Sequence, residues 1–226
     1  MKIRTAGDLA TFLSDELGWR RKELFVYRSL LTNADGSKKQ ALLRGAIALL
    51  YAHWEGFVKV AAEAYIGFVN LRRLKLGELA ANFVALAAKG KMTSAAESKK
   101  PRVHREFIEW LTHEWTARAR LPSDAVVTTG NLSSNVFKAI VDLIGLEYRA
   151  DFALAETGII DRLVTLRNAV AHGEWEMVSE RDFEELYLRI DGLLSMISND
   201  IELAAIQNIY LRAEPWSFDS EGPPVA

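Results

Sequence analysis

Residues 37–71 constrain the fold more than any other part of the chain. Leu42, Leu43, Ile47, Leu49, Leu50, Trp54, Phe57, Val58, Tyr65 and Phe68 place apolar groups on nearly every side of a helix. A helix that is apolar all round is stable only when other elements cover it, so this one is expected at the centre of a bundle. Glu55, Lys59 and Glu63 stand at i, i+4 and i+8 and leave one polar stripe. The longest apolar stretch, around residues 45–54, is bounded by Arg44 and Glu55. It falls well short of the roughly 18 residues a membrane span needs, and no membrane association is expected.

The remaining pattern is also helical. Leu9, Phe12, Leu13, Leu17, Leu24, Tyr27 and Leu31 predict a helix over residues 5–31, weakened at Gly18, with a turn at 33–36. A shorter helix is expected over 76–88. The following stretch, 89–105, carries Lys89, Lys91, Lys99, Lys100, Arg102 and Arg105 against Glu97, and with Pro101 it reads as a loop. A helix over 103–117 would turn Phe107, Trp110, Leu111 and Trp115 inward. Residues 121–132 look irregular, and Val126-Val127-Thr128-Thr129 is the one β-like run. Ser133 or Ser134 can cap a helix through Ile144 that Gly145 ends. Helical pattern returns over 159–172. Ser179 with Asp182 three residues on resembles a capping box opening a helix to about Arg212. The expected architecture is all-α: a bundle of long antiparallel helices with extra helices and an irregular middle, one domain over 1–212. Pro215, Gly222, Pro223 and Pro224 mark 213–226 as a flexible tail.

Composition narrows the chemistry. Lys and Arg number 28 against 30 Asp and Glu, a net charge of −2, so bulk charge gives no hint of nucleic-acid binding. The absence of cysteine excludes a disulfide framework, a thiolate metal site and a cysteine nucleophile, and leans toward a reducing, cytoplasmic home. Asp8, Asp15 and Glu16 stand where a signal peptide would be apolar.

The segment richest in chemistry is Arg167-Asn168-Ala169-Val170-Ala171-His172, closed by Gly173. Gly173 fits a helix C-cap, and the helix end it marks suits a cation at His172. A histidine that exchanges a proton near neutral pH suits general acid–base work. Arg167 can grip a phosphate through paired hydrogen bonds. Asn168, four residues before His172, can orient the imidazole or hold a phosphate oxygen. These groups suit phosphodiester chemistry in which the 2′-hydroxyl of RNA is the nucleophile. One Arg and one His are few for two proton transfers, and two chains across a two-fold axis would supply two of each. Spacing alone also fits a plainer reading, in which Arg167 pairs with an acid such as Glu55 and His172 only caps a helix.

The wider context is more specific. Leu163-Val164, then Arg167 to Gly173, closely resembles the signature of the HEPN superfamily, the "higher eukaryote and prokaryote nucleotide-binding" helical domains. Leu50-Tyr51-Ala52-His53-Trp54-Glu55-Gly56-Phe57-Val58-Lys59 and the stretch from Asn131-Leu132-Ser133-Ser134 to Gly145-Leu146 resemble its MAE-type branch. The resemblance covers most of 40–200. It implies a helical bundle, a homodimer and metal-independent ribonuclease activity with Arg167 and His172 catalytic and no cofactor. It further implies a toxin or an effector of defence against phage, with an antitoxin or a nucleotidyltransferase as possible partner. Some members lack nuclease activity, so a non-catalytic module binding nucleotide, RNA or a protein partner is the alternative.

Other residues carry expectations. Glu55, in an apolar stretch, should contact Arg167 or another cation, or else pair with Lys59. Lys99, Lys100, Arg102 and Arg105 are candidate RNA contacts, against the reading of a solvated loop. His104 and His113 lack the companions a metal site needs. His53 should face a helix neighbour, and Trp175 could stack on a base. Glu174, Glu176, Glu180, Asp182, Glu184 and Glu185 crowd the motif and would repel a polyanion.

Overall fold

In the computed structural model the helix expected at the centre is there, running Gly36–Leu71 (α2). At 1.5 Å per residue it is about 54 Å long. It buries Leu43, Ile47, Leu50, Tyr51, Trp54, Phe57, Tyr65 and Phe68 among others, and packs against α1 (Ala6–Thr32), α7 (Arg162–Ala171) and α8 (Glu180–Ile206). The structure describes residues 3–122, 124–128 and 130–213, so expectations for the chain from 214 onward lie outside it. Among the described residues no strand forms; two isolated bridges, Lys75 to Arg118 and Leu79 to Leu211, are the only β pairing. The buried side chains form one apolar cluster that includes Leu9, Leu13, Trp54, Phe137, Phe152, Phe183 and Ile190. No helix is long and apolar enough to cross a membrane among the described residues.

Local capping chemistry sets several boundaries. Thr5 caps α1 in a capping box with Asp8, and Ser179 caps α8 in one with Asp182. Ser133 caps α5 (Ser134–Leu143), whose end is a Schellman turn: Gly145 takes φ of +73°, and the Leu146 N–H reaches Val141 O at 3.0 Å.

Three expectations needed correction. The stretch 89–105 is not one loop: α3 runs Ala81–Glu97, and only residues 98–100 separate it from α4 (Pro101–Glu114). Ala, Lys, Met and Glu sustain the helix past Lys89, and Pro101, read as a breaker, is instead the first residue of α4. The Nε2 of His104 closes the α3 end, 2.9 Å from Ala95 O and 2.8 Å from Ser98 O. The aromatic face of α4 is only half-buried, and no α4 residue is fully buried. Finally, α8 stops at Ile206 and not near Arg212, because Asn208 adopts φ of +56° and the Ile209 N–H returns to Ala204 O at 3.0 Å.

The helix ending at the motif begins earlier than the pattern at 159–172 indicates. Residues Ala150–Ala155 (α6) continue through a π-helical turn, Glu156–Asp161, into α7. Such wide turns put an extra residue into a helix. This one buries two consecutive side chains, Ile159 and Ile160. Its last residue, Asp161, accepts from both the Ser134 N–H and the Ser134 hydroxyl at 2.8 Å each, tying the start of α5 to the start of α7.

Candidate active site

Helix α7 ends as its sequence dictates. His172 is the C-cap, and its N–H bonds Asn168 O at 2.9 Å. Gly173 follows with φ of +73°, a conformation that a Cβ would strain. The Gly173 N–H reaches Val170 O at 3.2 Å and the Glu174 N–H reaches Ala169 O at 2.9 Å, completing a Schellman motif. The chain therefore turns sharply just after His172, whose side chain is exposed.

Arg167 is held from two sides. Its guanidinium carbon lies 4.3 Å from the centroid of the Tyr51 ring on α2, within cation–π range. Its Nη1 donates to Asn131 Oδ1 at 2.7 Å and to Asn168 Oδ1 at 2.9 Å. Guanidinium carries donors on three nitrogens. Nε and Nη2 have no hydrogen-bond partner among the described residues, so the edge suited to a bidentate phosphate grip is unpaired there. Asn168 thus meets Arg167, where its spacing suggested that it orients the His172 ring or holds a phosphate oxygen.

Tyr51 is itself fixed. It is 2% exposed, and its hydroxyl accepts from the Leu132 N–H at 2.8 Å. Burial pushes the phenol above its ordinary pKa, and the Glu55 carboxylate adds to the rise, while the Leu132 N–H and Arg167 oppose it. Glu55 forms no ion pair with Arg167 or Lys59 among the described residues; its carboxylate bears on the Tyr51 phenol electrostatically.

Tyr51 and Asn131 are the residues that sequence reasoning did not assign. Both stand in the stretches that resemble the MAE-type branch, which was the one signal pointing to them. Asn131 precedes the α5 cap by two residues, so the Asp161–Ser134 tie places its side chain over α7.

The acids after the motif are largely neutralised. Lys39 meets Glu180 at 2.6 Å and Arg28 meets Glu184 at 2.6 Å, while Arg162 pairs with both Asp182 and Glu185. The Ser179 hydroxyl and Arg162 hold Asp182 below the usual carboxylate range. Glu174 and Glu176 have no such partner among the described residues. Trp175 is 76% exposed and Met177 69%, so two large apolar side chains stand open within five residues of His172. The Trp175 ring has a cation nearby, Arg44, 5.8 Å from its centroid.

The candidate RNA contacts lie elsewhere. Lys99 and Lys100 are exposed in the break between α3 and α4. Arg102 and Arg105 pair along α4 with Glu106 at 2.9 Å and Glu109 at 3.3 Å. His53 faces α1, as expected: its Nε2 is 2.8 Å from Glu23, and Trp19 meets its ring edge-on at 5.2 Å. His113 is exposed. Among the described residues, no three His, Asp or Glu side chains converge as metal ligands would.

Compared with known families, residues 9–210 match the model described as HEPN_MAE_28990-like HEPN. Neither the curated proteins nor the solved structures give a significant match.

Proposed function

Because the chain belongs to the HEPN_MAE_28990-like HEPN family, we propose that it is a cytoplasmic, metal-independent endoribonuclease acting at a site shared by two copies of the chain. The observation that carries this reading is the seating of Arg167. A guanidinium stacked on Tyr51 and fixed through Nη1 presents Nε and Nη2 to a phosphate without reorganising. Donors held ready in this way stabilise the charge that develops on phosphorus oxygens in the transition state.

In the proposed reaction a His172 imidazole takes the proton of the RNA 2′-hydroxyl. The 2′-oxygen attacks the adjacent phosphorus and the bond to the 5′-oxygen breaks. A second His172 ring, from the partner copy and already protonated, gives its proton to that leaving oxygen. The products are a 2′,3′-cyclic phosphate and a 5′-hydroxyl end. Two copies supply the acid and the base that one His172 cannot supply together. The exposed Trp175 and Met177 beside His172 suit a face that a second copy or an RNA base covers. Such an activity fits a toxin or a defence effector restrained by an antitoxin or a nucleotidyltransferase.

The test is purified protein with single-stranded RNA in EDTA. Wild type should release 2′,3′-cyclic phosphate ends, and Arg167→Ala and His172→Ala should each abolish them. Equal cleavage by the variants overturns the assignment.

One observation favours a second reading. The His172 ring has no hydrogen-bond partner among the described residues, whereas a general base is usually oriented by a third group. A non-catalytic module that binds nucleotide, RNA or a protein partner would need no such group. RNA bound but left intact by the dimer would establish it.

A further inference from the structure

The α3–α4 pair builds a trench on the flank of the bundle. Three concavities follow one another along α3, of about 460, 670 and 350 Å³. The first and second share Ala87 and Arg120; the second and third share Lys89, Ala125 and Val127. Their common walls join the three concavities into a row.

The lining is mainly polar in the first concavity and mainly apolar in the other two. Leu76, Ala87, Ala117 and Ala119 line the first concavity beside Trp110, its aromatic wall. Lys91 Nζ stands 5.5 Å from the Trp110 ring centroid. Arg118, Arg120 and Lys89 supply cations along the row, and none has an ion pair or side-chain hydrogen bond among the described residues. Glu114 and Asp124 are the acids on its walls. Arg102 and Arg105 differ, since both are already matched by acids on α4.

An aromatic wall beside unpaired cations fits one recurrent unit, a base that stacks and a phosphate that is neutralised. The row is longer than one such unit. Its last concavity is lined by Asn135 and Val136 in the first turn of α5, just beyond Asn131, the residue that holds Arg167.

We propose that this trench binds a segment of single-stranded RNA and leads it toward Arg167. The proposal rests on the ribonuclease reading for its direction, though binding in the trench does not depend on cleavage. The strand is held by stacking and phosphate contacts without sequence readout.

The experiment measures binding of a fluorescent 12-mer of oligouridine to full-length His172→Ala protein by anisotropy across a salt series. Arg118→Glu with Arg120→Glu should weaken binding at least tenfold. The double change should also flatten the log–log salt dependence by about 1.4, since each phosphate contact on a single strand contributes roughly 0.7. Trp110→Leu should weaken binding about tenfold and remove part of the tryptophan quenching seen on titration. Both sites lie on exposed or half-buried positions, and an unchanged thermal melt confirms that each variant folds. Unaltered affinity and salt slope in the folded double variant overturn the proposal. Uridine monophosphate binding as tightly as the 12-mer overturns it too, because the occupant is then a free nucleotide. Oligouridine bound through Arg118 and Arg120 by a protein that cleaves no RNA leaves the trench standing and removes the ribonuclease reading. Cleavage by wild type that persists at full rate in the trench variants does the reverse.

Discussion

The carboxylate of Asp161 takes both hydrogen bonds that Ser134 can donate, from its N–H and its hydroxyl, each at 2.8 Å. This contact joins the end of the π-helical turn to the first residue of α5. It thereby fixes the loop whose Asn131 steadies Arg167.

Asp161→Ala should therefore cost both stability and activity. Losing charge-assisted hydrogen bonds costs about 2 kcal/mol in urea unfolding. RNA cleavage by the fraction still folded should drop about tenfold as Asn131 loosens. Ser134→Ala, which keeps the N–H bond, should show about half the effect on each measurement.

Tyr51 separates stacking from hydrogen bonding. Tyr51→Phe keeps the ring under Arg167 and loses the hydroxyl that accepts from Leu132. Tyr51→Leu loses both. Cleavage by the Leu variant should be roughly tenfold below that of the Phe variant, the size expected for a partly desolvated cation–π contact. Equal rates for the two would show that the ring face contributes nothing.

Arg167→Lys tests the unpaired guanidinium edge. Lysine keeps the charge but has no planar fork for two phosphate oxygens. Cleavage should fall by about 100-fold or more, as for loss of one preorganised donor. A lysine variant within threefold of wild type would show that charge alone suffices.

Gly173→Ala strains the Schellman turn after His172. A positive φ costs a residue with a Cβ about 1–2 kcal/mol. The helix end should relax by unwinding, displacing His172. Cleavage should fall by an order of magnitude, with a melting temperature only a few degrees lower.

His53 makes stability pH-dependent. Burial holds its pKa below the ordinary 6.5; Arg20 pushes the same way and Glu23 opposes both. Above pH 6.5 the imidazole is neutral in folded and unfolded chains alike, and its contribution is complete. As pH falls through 6.5 the unfolded chain takes up the proton first, so stability declines until the folded-state pKa is passed. Urea midpoints should fall between pH 7.5 and 5.5, and His53→Gln should flatten that slope.

Features encoded within four or five residues were legible in the sequence. The Ser179–Asp182 box, the Ser133 cap, Gly145 and Gly173 each stand where local chemistry put them. The burial of α2 was equally plain, because apolar residues on every side leave no alternative. The seat of Arg167 was not legible as geometry. Tyr51 and Asn131 meet it only through the crossing of α2 with α7 and the Asp161–Ser134 tie, and no periodicity reports a crossing angle. The π-helical turn escaped for a related reason: 3.6-residue spacing holds on either side of it, and one added residue hardly disturbs the pattern.

The burial of α2 divides the motif dynamically. Arg167 leans on a ring whose backbone lies in the most enclosed helix of the bundle, so that support is lost only in an opening close to global unfolding. His172 is the last residue before a sharp exit into an exposed segment, where fraying is cheap. Amide exchange should thus be slow around Tyr51 and fast around Gly173. A ligand or a second subunit that switches this site would do so by ordering the imidazole, because the guanidinium is already in place.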